Sequence, residues 1–526
     1  MHLKKLCPSW LLFLSLTLII TSACKNHTQR LTDHIYYRLE SNPTTLDPSY
    51  IVDVSGGSIA AKLFNGLVRL DEDLQIVPDI AKQWVVDDSG LIYRFYLEED
   101  VYFHNGKKLT AADFEYSFKR ILSPNGISPN TWVLRNIDGA EEYLSGKTNA
   151  VTGIKILDEY TIEIKLVKPF SPFLKLLTMP AAYVVPNNNI SNDKDFSTHP
   201  VGTGPFKLKQ WSHSSTLTLE KNAHYFAHKN LPKVNGIVYK IIPEDLTAVM
   251  EFLIGNLDVL EVPVSSFALF MKDKTYSQLI NISNGINTYY LGLNNEKPPF
   301  NNPALRKAVY YAIDRQKILD TYYQRRGRLA DGPVPEILKG YKLDNDNYNP
   351  AKAKEIIKDI AAGNTIKAVF YVMAKQESID IAEIISDYLS KVGIHITIQP
   401  LEWSAFKTTI NNATADMFWL SWWADYPDED NFLYPMFHSS NFGAGGNRSR
   451  YKNVYVDMLI DKARTVTNEY EKTTLLKKAE SIIIEEVPCV FFWHRNDYIV
   501  HQPWIKKHRV FPVYNIDKGN YIELET

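Results

Sequence analysis

The residues best equipped for chemistry lie in LSWWADYPDEDNF (420–432), where Trp422 and Trp423 are followed by Asp425, Asp428, Glu429 and Asp430. Paired carboxylates can share acid and base work in glycoside cleavage, and Asp428 and Asp430 are candidates for such a pair. Two acids on one loop are more often solvated, or placed at a helix start where the macrodipole favours negative charge. The second reading is adopted for Asp428, Glu429 and Asp430. A lone carboxylate beside flat aromatic surface suggests other chemistry: it can grip a cation by a charge-assisted hydrogen bond. ADMFWLSWWAD (415–425) reads as a strand ending in a loop. Its near-continuous apolar character fits a central strand covered on both faces. Alternation puts Trp419, Ser421, Trp423 and Asp425 on one face. Asp425 then sits at the carboxyl end of the strand, where open α/β sheets bind ligands. The alternative for Asp425 is a loop-start carboxylate capping a backbone N–H. One of the two tryptophans belongs to the core. Trp423, on the Asp425 face, is the better cleft candidate, and Trp422 is kept as a second ligand-contact candidate.

Other chemistries fail on spacing. SGKT (145–148) lacks the glycine that a phosphate-binding loop needs five residues earlier, where Glu141 stands. DNDNYN (344–349) has oxygen ligands but neither the turn glycine nor the terminal glutamate of a calcium loop. No H-E-x-x-H or G-x-S-x-G occurs, and the 13 histidines are scattered. No metal, cofactor or catalytic residue is therefore expected.

The elements that must hold Asp425 alternate between strand and helix along the chain. TIEIKLV (161–167) puts Ile162, Ile164 and Leu166 on one face and Thr161, Glu163 and Lys165 on the other, a half-buried strand. LIYRFYL (91–97) and TLTL (216–219) read alike. LTAADFEYSFKRIL (109–122) is helical, with Thr110 and Asp113 as a capping pair. NPALRKAVYYAID (302–314) starts with Asn302 as cap and Pro303 in the first turn, and NPAKAKEIIKDI (349–360) repeats that start. A long helix spans the region near 468–486, before Pro488. The fold class is α/β, or mixed α+β, with several short sheets. Loops rich in Pro, Gly and Asn near 186–205, 294–303 and 327–350 mark candidate boundaries.

Composition is that of an ordinary globular protein. The chain has 526 residues, enough for two or three domains, is 45% hydrophobic and 22% charged, and carries a formal net charge of −2. That balance argues against a nucleic-acid partner. With 31 Tyr and 10 Trp it is rich in aromatic surface. MHLKK, then WLLFLSLTLII, then TSAC form a signal peptide over residues 1–23. Its loss removes Lys4 and Lys5, so the mature net charge is −2 − 2 = −4. Of the three cysteines, Cys7 lies in the signal, Cys24 at the cleavage point, and Cys489 in the apolar run VPCVFFW, as a buried small hydrophobe.

Six stretches together resemble the family-5 extracellular solute-binding proteins, which carry oligopeptides, dipeptides and related cargo to ABC transporters. They are SNPTTLDP (41–48), FNGLVRLDEDLQIVPDIAKQW (64–84), FHNGKKLTAADFEYSFKRIL (103–122), VGTGPFKLKQW (201–211), NPALRKAVYYAIDRQKIL (302–319) and WWADYPDEDNF (422–432). They run in the family's order and cover nearly the whole mature chain. The Thr21-Ser22-Ala23-Cys24 ending resembles a lipobox, which implies lipid on Cys24 and a membrane-tethered protein in the periplasm or on the cell surface. The resemblance implies two lobes joined by a hinge, with an extra subdomain on a discontinuous first lobe. The first lobe maps to 25–66, 198–290 and 488–526, the added subdomain to 67–197, and the second lobe to 291–487. It further implies a monomeric, non-enzymatic protein that closes on short peptides with a free amino terminus and delivers them to the permease subunits of an ABC importer. Asp425, in the matching W-x-x-D position, would pair with the peptide α-amino group. Trp132, in SPNTW, lies where some members place an aromatic near the ligand; a subdomain core role is the alternative. Arg328, in the Gly/Pro loop GRLADGPVP, could meet a terminal carboxylate or be a solvated loop arginine. Other cargoes occur in the family: peptidoglycan-derived peptides, nickel chelates, haem and oligosaccharides. A surface adhesin or chaperone on the same scaffold is the reading from another class.

Overall fold

The computed structural model describes residues 30–525, except 127, 188–192, 229–230, 344–347 and 362–363. The signal, Cys24 and part of DNDNYN lie outside the described residues. Helix starts follow their capping chemistry. The Thr110 N–H donates to Asp113 Oδ2 at 2.9 Å before the helix Ala111–Ile121. Asn302 accepts from the Ala304 N–H at 3.0 Å, with Pro303 opening the helix Pro303–Ala312. Asn349 receives the Lys352 N–H at 3.0 Å ahead of Pro350–Ala361. Asn468 caps the 18-residue helix Glu469–Glu486, which Val487 ends in a left-handed conformation.

Where the sequence led to an expectation of several short sheets, the described residues form one twelve-stranded sheet and three small ones. The long strand Cys489–His501 organises the large sheet. Its first half pairs antiparallel with Asn287–Leu293 on one side and Gly327–Leu329 on the other. Its second half pairs with Ile280–Asn284 and Val259–Glu261. Val259–Glu261 leads on to His34–Leu39 and Gly236–Ile241, and Asn287–Leu293 leads to Met417–Trp423 and Ile366–Met373. Most of these partners are more than a hundred residues apart, and alternation within a strand says nothing of which strand it will join. Gly327–Leu329, read from sequence as loop, is one of these strands. The outer face of TIEIKLV is also more covered than alternation implied, because Glu163 is buried where it pairs with Arg94 at 2.8 Å.

Distinct hydrophobic cores fill the chain. One holds Phe95, Phe114, Phe118 and Phe173 and takes in Tyr426 from far along the sequence. A second gathers Leu291, Phe370, Ile381 and Trp493, and a third Phe432, Leu476, Ile483 and Cys489. A fourth packs Ile35, Ile59, Phe206 and Ile237. The VGTGPF turn closes on the helix Val54–Leu63, where a Cβ on Gly202 would lie 1.9 Å from the Leu63 carbonyl oxygen. Only glycine allows that approach.

Candidate ligand cleft

The strand Met417–Trp423 leaves the core as it runs. Met417, Phe418 and Trp419 are buried, whereas Leu420 to Trp423 are half-exposed. Register places Ser421 against Tyr289 and Trp423 against Asn287. The Trp419 face is anchored by Tyr289 and Trp493, with ring centroids 6.1 and 5.5 Å away. Farther along that face the Trp423 Nε1–H donates to Ser421 Oγ at 3.2 Å, and the Arg495 guanidinium lies 5.3 Å from the Trp423 ring. Arg495 in turn holds Asp497 through Nε at 3.0 Å and Glu261 through Nη2 at 2.6 Å. Aromatic rings and a paired charge network thus back the half-exposed end of this strand.

Asp425 stands at the mouth of this strand. Its backbone N–H donates to Asn431 Oδ1 at 2.9 Å, so Asn431 caps the loop and Asp425 does not. Its carboxylate is half-exposed but surrounded by protein, and burial pushes its pKa up to about 6, against the hydrogen bond from Asn431. Among the described residues no cation lies within ion-pair distance of it. The nearby hydroxyl of Tyr514, from the C-terminal segment, has its pKa raised by burial and then by the charge of Asp425 and of Asp53. The Tyr514 ring rests on Gly57, where a Cβ would come within 2.3 Å of a ring carbon. The charge of Asp425 is thus felt by a tyrosine from a distant part of the chain. A desolvated carboxylate without a counter-charge is a receptor for a cation.

The other sequence candidates are placed as follows. Trp422 points to the opposite face, packs on the third core, and donates Nε1–H to the Asn431 carbonyl at 2.8 Å, which fixes the residue that caps Asp425. Trp132 is 40% exposed, so it is not a subdomain core residue, and its ring lies 6.5 Å from Tyr426, next in sequence to Asp425. Arg328 pairs in register with His494 and has Nη1 3.9 Å from Glu336, while Nε and Nη2 are buried without a partner. It stands on a strand rather than a loop, with its side chain partly in solvent. Three strand spacings, ~14 Å, separate its strand from that of Trp423, so Arg328 is not brought beside Asp425.

Asp428, Glu429 and Asp430 do stand at the start of a helix, Asp430–Phe437, but all three are buried rather than solvated. Burial would raise the Asp428 pKa; Lys472 and Lys175, each 2.7 Å from Oδ2, outweigh it and hold the carboxyl below its usual range. Asp430 accepts from the Tyr426 hydroxyl at 2.7 Å and lies 3.2 Å from Arg464. Burial and the Asp428 charge push Glu429 up to about 8. The cluster ties the loop to two neighbouring cores, and substrate cannot reach Asp428 or Asp430. Sequence reasoning missed Tyr514, Gly57, Arg495 and Glu261. No motif marks them, because each matters only through a neighbour far away in sequence. Among the described residues no His, Cys, Asp or Glu group is arranged to hold a metal, and no helix is long and apolar enough to cross a membrane.

A mixed α/β fold, with a lone carboxylate at the end of a central strand, has the architecture of the two-lobed binding proteins. The family model "Bacterial extracellular solute-binding proteins, family 5 Middle" matches residues 75–444, and the chain belongs to that family. The periplasmic oligopeptide-binding protein OppA of Escherichia coli K12 is 28% identical over 484 residues, covering 88% of each chain. Heme-binding protein A of Haemophilus influenzae is 28% identical over 495 residues, covering 88% of this chain and 87% of its own. The fold is similar to that of the ABC transporter-associated periplasmic binding protein DppA from Helicobacter pylori, solved with peptide STSA. That likeness has a TM-score of 0.80 and 25% identity, over 94% of this chain and 98% of that one.

Proposed function

We propose that the protein captures short peptides by their free amino terminus and delivers them to the permease subunits of an ABC importer. The single observation that carries this is the Asp425 carboxylate, desolvated and without a counter-charge just past the end of the strand that bears Trp423. An α-ammonium group would complete it. The peptide-binding relatives support the same cargo. Trp423 and Trp132 flank the first residues of the ligand, Trp422 acts through Asn431, and Arg328 is the more distant candidate for a carboxylate. The protein performs no catalysis and works as a monomer. The chain divides into a first lobe of 25–66, 198–290 and 488–526, an added subdomain of 67–197 and a second lobe of 291–487; the core that holds Phe95, Phe114 and Phe173 supports a separate subdomain. Cys24 carries lipid and tethers the protein to the membrane.

Calorimetric titration of the ligand-stripped mature protein with a mixed-sequence tripeptide, beside its N-acetylated form, tests the proposal. Binding of the free amine that is lost on acetylation is expected. Equal binding of both removes Asp425 from the reading, and binding of neither redirects it to another cargo such as haem.

A further inference from the structure

The helix Asp245–Leu253 buries Ala248, Val249 and Phe252 on one side. On the other side Leu246, Met250 and Leu253, spaced i, i+4 and i+7, form a second apolar stripe that faces solvent and continues into Ile254. Met250 is 58% exposed and Ile254 63%. Trp504 extends the patch. A Cβ on Gly255 would touch its ring at 3.3 Å, its Nε1–H donates to Asp258 at 2.7 Å, and its ring stays partly in solvent. A surface helix that is apolar on both sides leaves its outer stripe in need of a partner.

The chain itself indicates which partner. Arg30, the first described residue, donates to the Gly255 carbonyl, pairs with Asp258 and lies 5.3 Å from the Trp504 ring. The N-terminal segment therefore enters the fold on this patch. Cys24 precedes Arg30 by six residues, a reach of at most ~20 Å. Lipid on Cys24 would hold the patch within that distance of the bilayer. Aliphatic side chains beside a tryptophan with a satisfied N–H suit the boundary between headgroups and acyl chains.

We infer that Leu246, Met250, Leu253, Ile254 and Trp504 form a surface that rests on the lipid bilayer, setting how the tethered protein is oriented. The inference builds on lipidation of Cys24, and its test supplies a tether that does not need that modification. Chain 25–526 with an N-terminal polyhistidine tag is placed on phosphatidylethanolamine–phosphatidylglycerol vesicles containing a nickel-chelating lipid. Met250→Cys, or Tyr470→Cys on an exposed helix elsewhere, carries a polarity-sensitive fluorophore; Cys489 is buried. Quenching by brominated lipid is expected to be roughly twofold or more stronger at 250 than at 470. The difference is expected to disappear when Leu253→Glu and Ile254→Glu are added. Equal quenching at both positions overturns the inference. So does shielding of position 250 only in a patch-dependent dimer, or only when the permease is present. The mass of the native N-terminal peptide reports on Cys24 separately, so failure of the lipid reading and failure of this surface are distinguishable.

Discussion

Replacing Asp425 by Asn should stabilise the empty protein while weakening its grip on ligand. Raising a carboxyl from its ordinary 3.8 to about 6 corresponds to a penalty of ~3 kcal/mol on the ionised form, at about 1.4 kcal/mol per pH unit. Partial hydration of the side chain reduces the realised gain to ~1–2 kcal/mol, a few degrees in Tm. The sign follows from linkage. The folded-state pKa lies above the unfolded one, so the stability associated with the protonated form is present below pH 3.8 and is lost as pH rises through about 6. The variant has no such loss. Ligand binding runs the other way, because the ammonium needs the ionised carboxylate. Affinity of the wild type should fall as pH drops below about 6. It should fall again above ~8, where the peptide amine loses its proton. Asp425→Asn should cost about 2–5 kcal/mol of affinity for a free-amine peptide and flatten the acid limb. Thermal unfolding of the ligand-stripped proteins and calorimetry across pH read both effects. Unchanged affinity, or a wild-type acid limb that stays flat, would refute the reasoning.

Three further outcomes are expected. Asp428→Asn leaves Lys175 and Lys472 facing each other across a buried site and should cost about 3–5 kcal/mol, read by urea denaturation at pH 7. Because the Asp428 pKa is depressed, its contribution is present above the unfolded carboxyl pKa and is lost as pH falls through the folded value, so the variant should differ least from wild type in acid. Gly57→Val displaces the Tyr514 ring from its seat and should weaken peptide binding roughly tenfold with the fold retained by circular dichroism; a variant that binds normally excludes Tyr514 from the cleft wall. Trp132→Ala, at an exposed ring beside Tyr426, should leave Tm within about a degree and lower affinity by ~0.5–1.5 kcal/mol. A large loss of stability would instead make it a structural residue.

Much of the local structure was legible in the sequence because it depends on neighbours within a turn or two. Thr110 with Asp113, Asn302 with Pro303, and Asn349 with Pro350 fixed their helix starts by hydrogen bonds of short range. The strand around Trp419 was readable from its apolar run, and Asp425 followed from its position at the end of that strand and from the W-x-x-D resemblance. Reading Asp428, Glu429 and Asp430 as a helix start also relied on local order, but their burial did not show. That depends on Lys175 and Lys472, which lie on other elements.

The sequence by itself determined the family, the alternation of helix and strand, the caps and the carboxylate at the strand end, because these follow from short-range order and from residues quoted in a fixed sequence. Only the tertiary structure decided that a twelve-stranded sheet runs through the described residues, that Tyr514 sits on Gly57, and that Arg495 spans Glu261 and Asp497 beside Trp423. The physical reason is that a carboxylate's charge, hydration and partners are set by whatever the fold brings within a few ångströms, and none of those neighbours is adjacent to it in the chain.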